Sequence, residues 1–408
     1  MKCRSCKNEL THVFADLMNA PLSNGYLTKN QLKDPEIYYP LKTFVCEHCW
    51  LVQTDDHKKS EEIFDKHYAY FSSFSSSWLV HSQKFVTMII EKLGLHKSSL
   101  VAEIASNDGY LLQFFQKTGI PCFGIEPTES TAIAARHKGI ETIQRFFSAS
   151  LAKQLAAEDR KVDLIIGNNV LAHIPDLNNF VEGLGILLNE RGTITMEFPH
   201  LMNLIEHNQF DTIYHEHFSY LSFQTVCTIF KSHQLTVYDV TELSTHGGSL
   251  RIFARHSQNK DLPISGNVQR VLEQEKASGL FCLETYKHFQ NRIEQVSCGF
   301  LKFLLDTKTK GKTIVGYGAA AKGNTLLNYC GIKNNLIDFV ADASPHKQGK
   351  YLPGSHIPIV LEQKIKETKP DFVVLFPWNL QEELIPKLSY IYNWGGKFVT
   401  AIPALEIF

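Results

Sequence analysis

The sequence predicts an α/β protein with a parallel-sheet domain at its centre, a small cysteine-containing lobe before it and a second α/β domain after it. Short apolar strands alternate with segments of helical periodicity from about residue 101, and the pattern starts again near residue 312. Two Cys-x-x-Cys motifs lie within the first 49 residues. A chain of 408 residues is too long for one ordinary core. We therefore expect three parts, at residues 1–72, 73–257 and 258–408.

The amino-acid composition argues against nucleic acid and membranes as binding partners. The 41 Lys and Arg residues nearly balance the 42 Asp and Glu residues, for a formal net charge of -1, so no electrostatic attraction to nucleic acid or membrane is expected. No apolar run approaches membrane-spanning length, and the first residues lack the apolar core of a signal peptide. There is no heptad seam for a coiled-coil dimer. We expect a cytoplasmic protein that acts on a small molecule.

The two cysteine motifs, Cys3-x-x-Cys6 and Cys46-x-x-Cys49, predict a metal site. Nine cysteines in a chain of this length are too few for a disulfide scaffold. Two such knuckles supply four thiolates, which complete a tetrahedral Zn site with no open position for chemistry. Redox cysteines are the alternative. The prediction is a structural zinc ribbon, and the other five cysteines lie in apolar contexts typical of core residues.

An aromatic and hydroxyl-rich segment, residues 68–78, separates the cysteine lobe from the first strand of the central domain. Phenols and serines such as Tyr68, Tyr70 and Ser72 can line a pocket for a polar, ring-shaped substrate. The same composition also suits a capped loop folded onto the core. Apolar periodicity from residue 78 to residue 95 then predicts an amphipathic helix.

Residues 101–112 predict a strand, a tight loop and a helix, the arrangement of a nucleotide-type site. The GxGxxG fingerprint is absent, with Ala105, Asn107 and Gly109 where its glycines would stand. Glu103 before the loop suits a cationic ligand, and Glu126 after the next strand can accept a ribose diol. This favours S-adenosylmethionine over NAD. A helix cap formed by Asn107 or Asp108 is the alternative for the loop itself.

Further strands continue the central sheet. Residues 162–170 read as a buried strand ending in polar residues at Asn168, and His173 follows at the edge where open α/β sheets bind ligands. Residues 192–199 predict another strand. Residues 237–243 and 249–254 predict a closing antiparallel hairpin.

The segment of residues 211–220 has the densest chemistry in the chain. Two imidazoles, two phenols and carboxylates within ten residues suit proton abstraction next to a carbonyl. His215 and His217 stand two positions apart and would not share a face, so a shared metal ion is poorly supported. A purely structural histidine pair is the alternative.

In the C-terminal part, residues 312–325 predict a strand, a Gly-rich turn and a helix. Exposed amides and Lys322 at the helix start suit a phosphate group, which predicts that this domain holds a nucleotide diphosphate. The weak match Gly316-x-Gly318-x-x-Ala321 leaves a degenerate second dinucleotide site as the alternative.

Together, five motifs resemble one family, the sugar C-methyltransferases that act on nucleotide-linked keto-deoxysugars. They are the four cysteines, residues 68–73, residues 103–109, residues 214–217 and residues 246–251. The resemblance covers essentially the whole chain. It implies a zinc lobe, a Rossmann-like class I methyltransferase domain that binds S-adenosylmethionine, and a C-terminal Rossmann-like domain that binds the nucleotide-sugar. It also implies methyl transfer to C-3 of a dTDP-type or similarly activated 4-keto sugar.

The resemblance further implies residue roles. His217 would be the base, with Tyr214, Glu216, His173 and Tyr68 around the reacting sugar. The expected cofactor residues are Glu103, Ala105, Asn107, Gly109, Tyr110, Glu126, Pro127 and Asn168. The expected substrate residues are Tyr70, Ser72, His246, Gly247, Ser249, Arg251, Tyr317, Lys322 and Asn324.

Three other classes remain at this point. An NAD-dependent sugar oxidoreductase would use paired α/β domains, but its fingerprint is lacking at residues 103–109. An O- or N-methyltransferase would share the cofactor domain without needing a base for a C–H bond. A non-enzymatic zinc-ribbon module for nucleic acid would want a basic face, which the charge balance does not provide.

Overall fold

The computed structural model describes residues 1–58, 62 and 71–408. Within these residues the strands form three sheets of four, seven and six strands. No helix in this part of the chain is both long and apolar enough to cross a bilayer.

The N-terminal lobe is an antiparallel sheet that takes its last strand from the central part of the chain. Its strands are β1 (His12–Ala20), β2 (Tyr39–Val45) and β3 (Val52–Thr54). β3 pairs with a two-residue strand, Ser219–Tyr220, which is β9 in chain order. The lobe is therefore joined by backbone hydrogen bonds to the segment that directly follows His217.

The central sheet has five parallel strands and an antiparallel hairpin at one edge. Its parallel strands are β4 (Val101–Ile104), β5 (Cys122–Ile125), β6 (Thr142–Ile143), β7 (Val162–Asn168) and β8 (Leu188–Pro199). The hairpin is β10 (Leu235–Leu243) and β11 (Ser249–His256), and the strand order is β10-β11-β8-β7-β4-β5-β6. Both the parallel sheet and the closing hairpin predicted from the sequence are confirmed.

Helices cover both faces of this sheet, because each crossover between parallel strands must return over one face. Buried apolar side chains of neighbouring strand positions accordingly divide between two core clusters, one on each side. The helices of this part span Ser76–Leu93, Leu112–Thr118, Glu129–His137, Ala149–Ala157, Leu177–Leu187, Leu201–Glu206 and Phe223–Ser232.

The C-terminal part is a second, mostly parallel sheet. Its strands are β12 (Ile314–Tyr317), β13 (Val340–Ala341), β14 (Ile359–Val360), β15 (Phe372–Leu375), β16 (Lys397–Thr400) and the antiparallel β17 (Glu406–Ile407), in the order β14-β13-β12-β15-β16-β17. Its helices, with those leading into it, span Gly266–Ala277, Leu283–Lys287, Phe289–Thr309, Ala321–Tyr329, Gln363–Thr368 and Gln381–Lys387.

One predicted strand is shorter than the sequence indicates. The apolar run at residues 336–342 pairs with its neighbours as a strand only at Val340–Ala341. The amides of Leu336 and Ile337 both donate to the Lys333 carbonyl, so the start of the run is a turn. Apolar character alone does not distinguish a buried turn from a strand.

Candidate active site

The four predicted metal ligands meet in one cluster. The Sγ atoms of Cys3, Cys6, Cys46 and Cys49 all lie within 4.8 Å of one another, with Cys3 and Cys49 at 3.4 Å and Cys6 and Cys46 at 3.5 Å. Four thiolates bound to one Zn²⁺ at about 2.3 Å stand roughly 3.8 Å apart, so this set fits zinc.

The two knuckles also share a backbone conformation. The amide of Lys7 donates to the Cys3 carbonyl at 3.0 Å, and the amide of Trp50 donates to the Cys46 carbonyl at 2.9 Å. Lys7 and Trp50 both have positive φ, +65° and +61°. Each Cys-x-x-Cys turn thus closes in the same way, which directs both of its thiols to one point.

The loop after β4 is built around left-handed residues. Ala105, Asn107 and Gly109 have φ of +56°, +49° and +74°. A Cβ on Gly109 would stand 2.3 Å from the Ile140 side chain, so this glycine is needed for close packing as well as for its φ. Non-glycine residues in this region cost energy and cluster at ligand sites.

Glu103 lies at the bottom of this loop and is fully buried. Neither of its carboxylate oxygens has a hydrogen-bond partner among the described residues, and the Tyr110 hydroxyl faces it. Burial raises the pKa of Glu103 well above its ordinary value. A cation bound here would reverse that shift, because it would stabilise the ionised carboxylate.

More buried polar atoms without partners among the described residues surround Glu103. They are Ser106 Oγ, Asp108 Oδ1, both side-chain atoms of Asn168 and Asn169 Oδ1. Buried polar groups in proteins are almost always hydrogen-bonded, so this set at the ends of β4 and β7 indicates a polar ligand. The residues present fit S-adenosylmethionine, which has a cationic amino acid part and hydroxyl groups.

Glu126 is placed at the end of β5 as predicted, but its carboxylate already accepts two backbone amides. Asn107 and Thr128 both donate to it at 2.9 Å. Pro127 connects it to the helix that begins at Glu129. Glu126 therefore also ties the loop after β4 to the loop after β5, while each oxygen keeps a second lone pair for a ribose hydroxyl.

His217 has a defined tautomer. Its Nδ1 lies 2.8 Å from the Thr212 carbonyl oxygen. A carbonyl only accepts, so Nδ1 carries the proton and Nε2 of the neutral ring has the lone pair. Burial, with His173, Lys322 and His246 nearby, lowers the pKa of His217 well below its ordinary value. At neutral pH this imidazole is therefore uncharged, with its lone pair on Nε2.

His173 and Tyr214 pack against His217, with ring centroids at 4.8 Å and 4.0 Å. His173 Nδ1 donates to the Glu216 carbonyl at 2.8 Å, and burial lowers its pKa to about 4. Neutral His173 thus has no proton on Nε2 and cannot donate from it. Of these two side chains beside His217, Tyr214 has a hydroxyl that can donate a hydrogen bond, whereas neutral His173 cannot donate from Nε2.

The Glu216 side chain is held by the N-terminal lobe. Asn24 Nδ2 donates to both of its carboxylate oxygens, at 2.7 and 2.9 Å. Burial raises the pKa of Glu216 to about 7, against the effect of the Asn24 hydrogen bond. His215 Nε2 donates to the Pro40 carbonyl, also in that lobe. His215 and His217 therefore have different partners, and no metal group includes either of them among the described residues.

The C-terminal domain reaches the same pocket. Trp378 Nε1 donates to Asp211 Oδ2 at 2.7 Å, and Lys322 Nζ donates to Asn379 Oδ1 at 2.8 Å. The Lys322 ammonium also lies 4.5 Å from the centroid of the Trp378 ring. Thr325 Oγ1 donates to the Ile213 carbonyl at 3.0 Å. Two segments of this domain thus hold the turn that orients His217.

Some predicted substrate residues lie at this junction. His246 Nε2 accepts from Asn169 Nδ2 at 2.9 Å, which joins it to the end of β7. A Cβ on Gly247 would stand 2.4 Å from Trp378. The Ser72 amide donates to Asn107 Oδ1, and Asn324 Nδ2 donates to the Ser23 carbonyl. Tyr68 and Tyr70 lie outside the described residues.

Other predicted substrate residues have structural partners elsewhere. The Arg251 guanidinium pairs with the fully buried Glu197, and Ser249 Oγ donates to the Thr245 carbonyl. The Tyr317 hydroxyl donates to Glu362 at 3.0 Å and belongs to the apolar core on the other face of the C-terminal sheet from Trp378. Their substrate roles stay predictions.

Sequence reasoning gave no role to Asp211, Trp378 or Asn379. Trp378 and Asn379 directly follow β15, so the rule that ligands meet the carboxyl ends of parallel strands would have drawn attention to them. Trp78 was missed too, and its ring lies 6.0 Å from Tyr110 and 5.3 Å from His246.

Known proteins match the chain in three segments and as a whole. Three family models match: a putative zinc binding domain at residues 3–64, a methyltransferase domain at residues 78–240 and a C-methyltransferase C-terminal domain at residues 244–403. C-methyltransferase NovU of Streptomyces niveus is 35% identical over 402 residues, which cover 98% of this chain and 95% of that protein.

Solved structures match about half of the chain. The PH0226 protein from Pyrococcus horikoshii OT3 is 15% identical and covers 49% of this chain and 99% of its own, with a TM-score of 0.38. Magnesium protoporphyrin IX methyltransferase from Synechocystis PCC 6803, with bound S-adenosylmethionine, is 16% identical. The match covers 50% of this chain and 100% of that protein, with a TM-score of 0.37.

The central sheet, its polar strand ends and the matched domains define an S-adenosylmethionine-dependent methyltransferase with a Rossmann-like fold and a zinc-binding lobe. The chain belongs to the C-methyltransferase family that includes NovU. The predicted family, fold class and cofactors are thereby confirmed.

Proposed function

We propose that this C-methyltransferase acts on C-3 of a nucleotide-linked 4-keto-deoxysugar, of the dTDP type, and that His217 is the base. The observation that carries the proposal is the His217 tautomer, because Nε2 of this buried, neutral ring has the lone pair that a base needs. A carbon next to a ketone is the kind of C–H acid that an imidazole can deprotonate. Methylation of oxygen or nitrogen would not require deprotonation of a C–H bond.

The surroundings of His217 support a sugar in contact with both the cofactor and the C-terminal domain. His173, which packs on His217, follows β7 and Asn168, whose side chain has no hydrogen-bond partner among the described residues. Lys322 and Trp378 approach from the other side. A ring between these groups would present one carbon to Nε2 while its nucleotide extends along the C-terminal domain.

Bound S-adenosylmethionine would supply the electrophilic methyl group. His217 Nε2 takes the proton from C-3, while the Thr212 carbonyl holds Nδ1–H and keeps the ring in place. Tyr214 is placed beside His217 to donate to the oxygen at C-4. Glu103, Asn168 and the loop after β4 would bind the cofactor. Fixed positions for base and methyl donor account for much of the acceleration.

The pathway context is deoxysugar biosynthesis, which we take to be located in the cytoplasm. We also place the nucleotide-sugar, rather than a nucleic acid or a membrane lipid, as the substrate. The near-neutral charge balance supports this choice.

The test is incubation with S-adenosylmethionine and a panel of nucleotide-linked 4-keto-deoxysugars in deuterated water, followed by mass spectrometry and NMR of the sugars. A methyl group on C-3, or deuterium at C-3 without the cofactor, is the expected result. A methyl group on oxygen or nitrogen would replace the proposal with O- or N-methylation.

The base is tested with His217→Ala, with the exposed His207→Ala as the matched control. We expect His217→Ala to lose both deuterium exchange and methyl transfer while it still binds S-adenosylmethionine. His207→Ala should behave as wild type. Full activity of His217→Ala would remove His217 from the base role.

A further inference from the structure

Lys322 lies at the junction of three side chains that face the pocket. Its Nζ donates to Asn379 Oδ1 at 2.8 Å and stands 4.5 Å from the Trp378 ring centroid. Trp378 in turn donates to Asp211 at 2.7 Å. The Lys322 side chain therefore extends toward Asp211 and the turn that orients His217.

Two turns of the C-terminal domain determine the position of Lys322. Gly318 has φ of +84°, and a Cβ on it would stand 2.5 Å from Pro377. The turn after β12 and the turn after β15 are thus in close contact, and this brings the start of helix Ala321–Tyr329 next to Trp378. Because these two turns are packed closely together, the backbone that carries Lys322 is held in place. The position of the ammonium is therefore fixed.

The surrounding charges suit one small anion. Asp211 is buried, and its Oδ1 has no partner among the described residues. An ionised Asp211 would repel a diphosphate with two negative charges more strongly than a single developing oxyanion, which one ammonium can balance. His173, meanwhile, has no proton to donate from Nε2.

We infer that Lys322 is a further catalytic residue, whose ammonium stabilises the oxyanion at C-4 of the sugar, with Asp211, Trp378 and Asn379 positioning it. The inference rests on the proposed function. It differs from the expectation that Lys322 binds the nucleotide diphosphate.

The step balances as follows. His217 takes the C-3 proton, the C–H electron pair forms the C-3–C-4 double bond, and the C-4 carbonyl becomes an oxyanion that accepts a hydrogen bond from Lys322. The C-3–C-4 pair then forms the new bond to the methyl carbon as the methyl–sulfur bond breaks. The sulfur leaves as a neutral thioether, the C-4 ketone returns, and His217 releases its proton to water. Fixed donors of this kind act on charge that develops in the transition state.

The charge state of Lys322 provides a second readout. Burial lowers its pKa to about 8, and the Asp211 carboxylate opposes this effect. The titratable groups that face it are Asp211, His217 and His246. The protonated form is therefore lost as pH rises through about 8, and activity should fall with it.

The experiment uses Lys322→Met and Lys322→Arg in the full chain, with the exposed Lys364→Met as the control. It measures three quantities: deuterium exchange at C-3 at saturating sugar without cofactor, methyl-transfer kcat, and the Kd of free dTDP. We expect Lys322→Met to lower exchange and kcat about 100-fold with an unchanged Kd for dTDP. Lys322→Arg should retain more activity and lose the alkaline decline, because arginine stays protonated. Lys364→Met should match wild type.

Weaker dTDP binding with normal exchange at saturating sugar would overturn the inference and assign Lys322 to the phosphates. Wild-type activity of Lys322→Met would also overturn it, while the proposed function would stand. If wild type neither exchanges nor methylates any sugar of the panel, the proposed function fails and the inference fails with it. Unchanged binding of S-adenosylmethionine by each variant shows that it is folded.

Discussion

The Trp378 indole donates to the Asp211 carboxylate at 2.7 Å, and this contact joins the C-terminal domain to the turn that orients His217. Asp211 directly precedes Thr212, whose carbonyl accepts from His217 Nδ1 at 2.8 Å. Burial raises the pKa of Asp211 to about 6, and Lys322 and Trp378 both oppose that shift. The position of His217 therefore depends on a residue more than 150 positions away in the sequence.

Trp378→Phe removes this donor while keeping an aromatic ring under Lys322. We expect roughly tenfold lower kcat and a stability loss of about 1–3 kcal/mol, because a buried carboxylate loses its hydrogen bond. The pKa of Asp211 should rise further, since the donor favours the ionised form. Steady-state kinetics and chemical denaturation measure these effects.

Trp394→Phe is the matched control. Its indole donates to the Pro370 carbonyl at 2.9 Å, away from the pocket. We expect it to lose stability without a change in kcat. An equal fall of kcat in both variants would mean that loss of domain stability, and not the Asp211 contact, lowers activity.

Glu103 should release a proton when the cofactor binds. Its pKa is raised by burial in the free protein, and a cationic ligand lowers it, so near neutral pH the carboxyl group ionises on binding. Calorimetry of S-adenosylmethionine binding in two buffers with different ionisation enthalpies measures that proton. In Glu103→Gln the release should vanish, and affinity should fall about 10- to 100-fold.

Glu129→Gln is the comparison variant, because Glu129 is exposed at the start of the helix that follows β5. It should bind the cofactor as wild type does. Proton release that persists in Glu103→Gln would assign the titration to another group, such as Glu126, whose pKa is also raised by burial.

Zinc loss should loosen the segment that contains His217, the proposed base. β3 follows the second knuckle and pairs with β9, and Thr54 Oγ1 donates to the His217 carbonyl at 3.1 Å. Cys46→Ser should therefore release the metal, speed hydrogen exchange at residues 214–220 and lower methyl transfer more than cofactor binding. Elemental analysis and hydrogen-exchange mass spectrometry measure this.

Cys298 lies outside the cluster and is exposed, as Cys282 is, so the prediction that the other five cysteines are core residues is wrong for these two. Cys298→Ser should keep both metal and activity. If Cys46→Ser lost zinc yet kept normal exchange at residues 214–220, the lobe would stabilise itself without supporting the base.

Methyl-transfer activity should fall on the acid side only at a pH below the ordinary pKa range of imidazole. As the proposed base, His217 works only when unprotonated, and its pKa is lowered by burial and by His173, Lys322 and His246. Activity therefore falls only as pH drops through that lowered value. Asp211, with a pKa of about 6, could produce a similar limb, so Asp211→Asn is the variant to compare. A limb that disappears in Asp211→Asn would belong to Asp211.

Much of this protein follows from sequence alone. The doubled Cys-x-x-Cys spacing determines the metal site, because each knuckle is a local turn with its own hydrogen bond. Strand periodicity and polar residues at strand ends likewise determine the central sheet and the cofactor edge, because both depend on neighbours in sequence.

The pocket, by contrast, was decided by tertiary structure. Sequence spacing placed Lys322 at a helix start and assigned it to a phosphate, but only the contact of the C-terminal domain with the central domain brings it beside Asp211 and His217. The His217 tautomer likewise depends on the Thr212 carbonyl, and the Glu216 carboxylate depends on Asn24 of another lobe. Such contacts arise from packing between distant segments, and no local pattern of residues encodes which backbone carbonyl or carboxylate a side chain will meet.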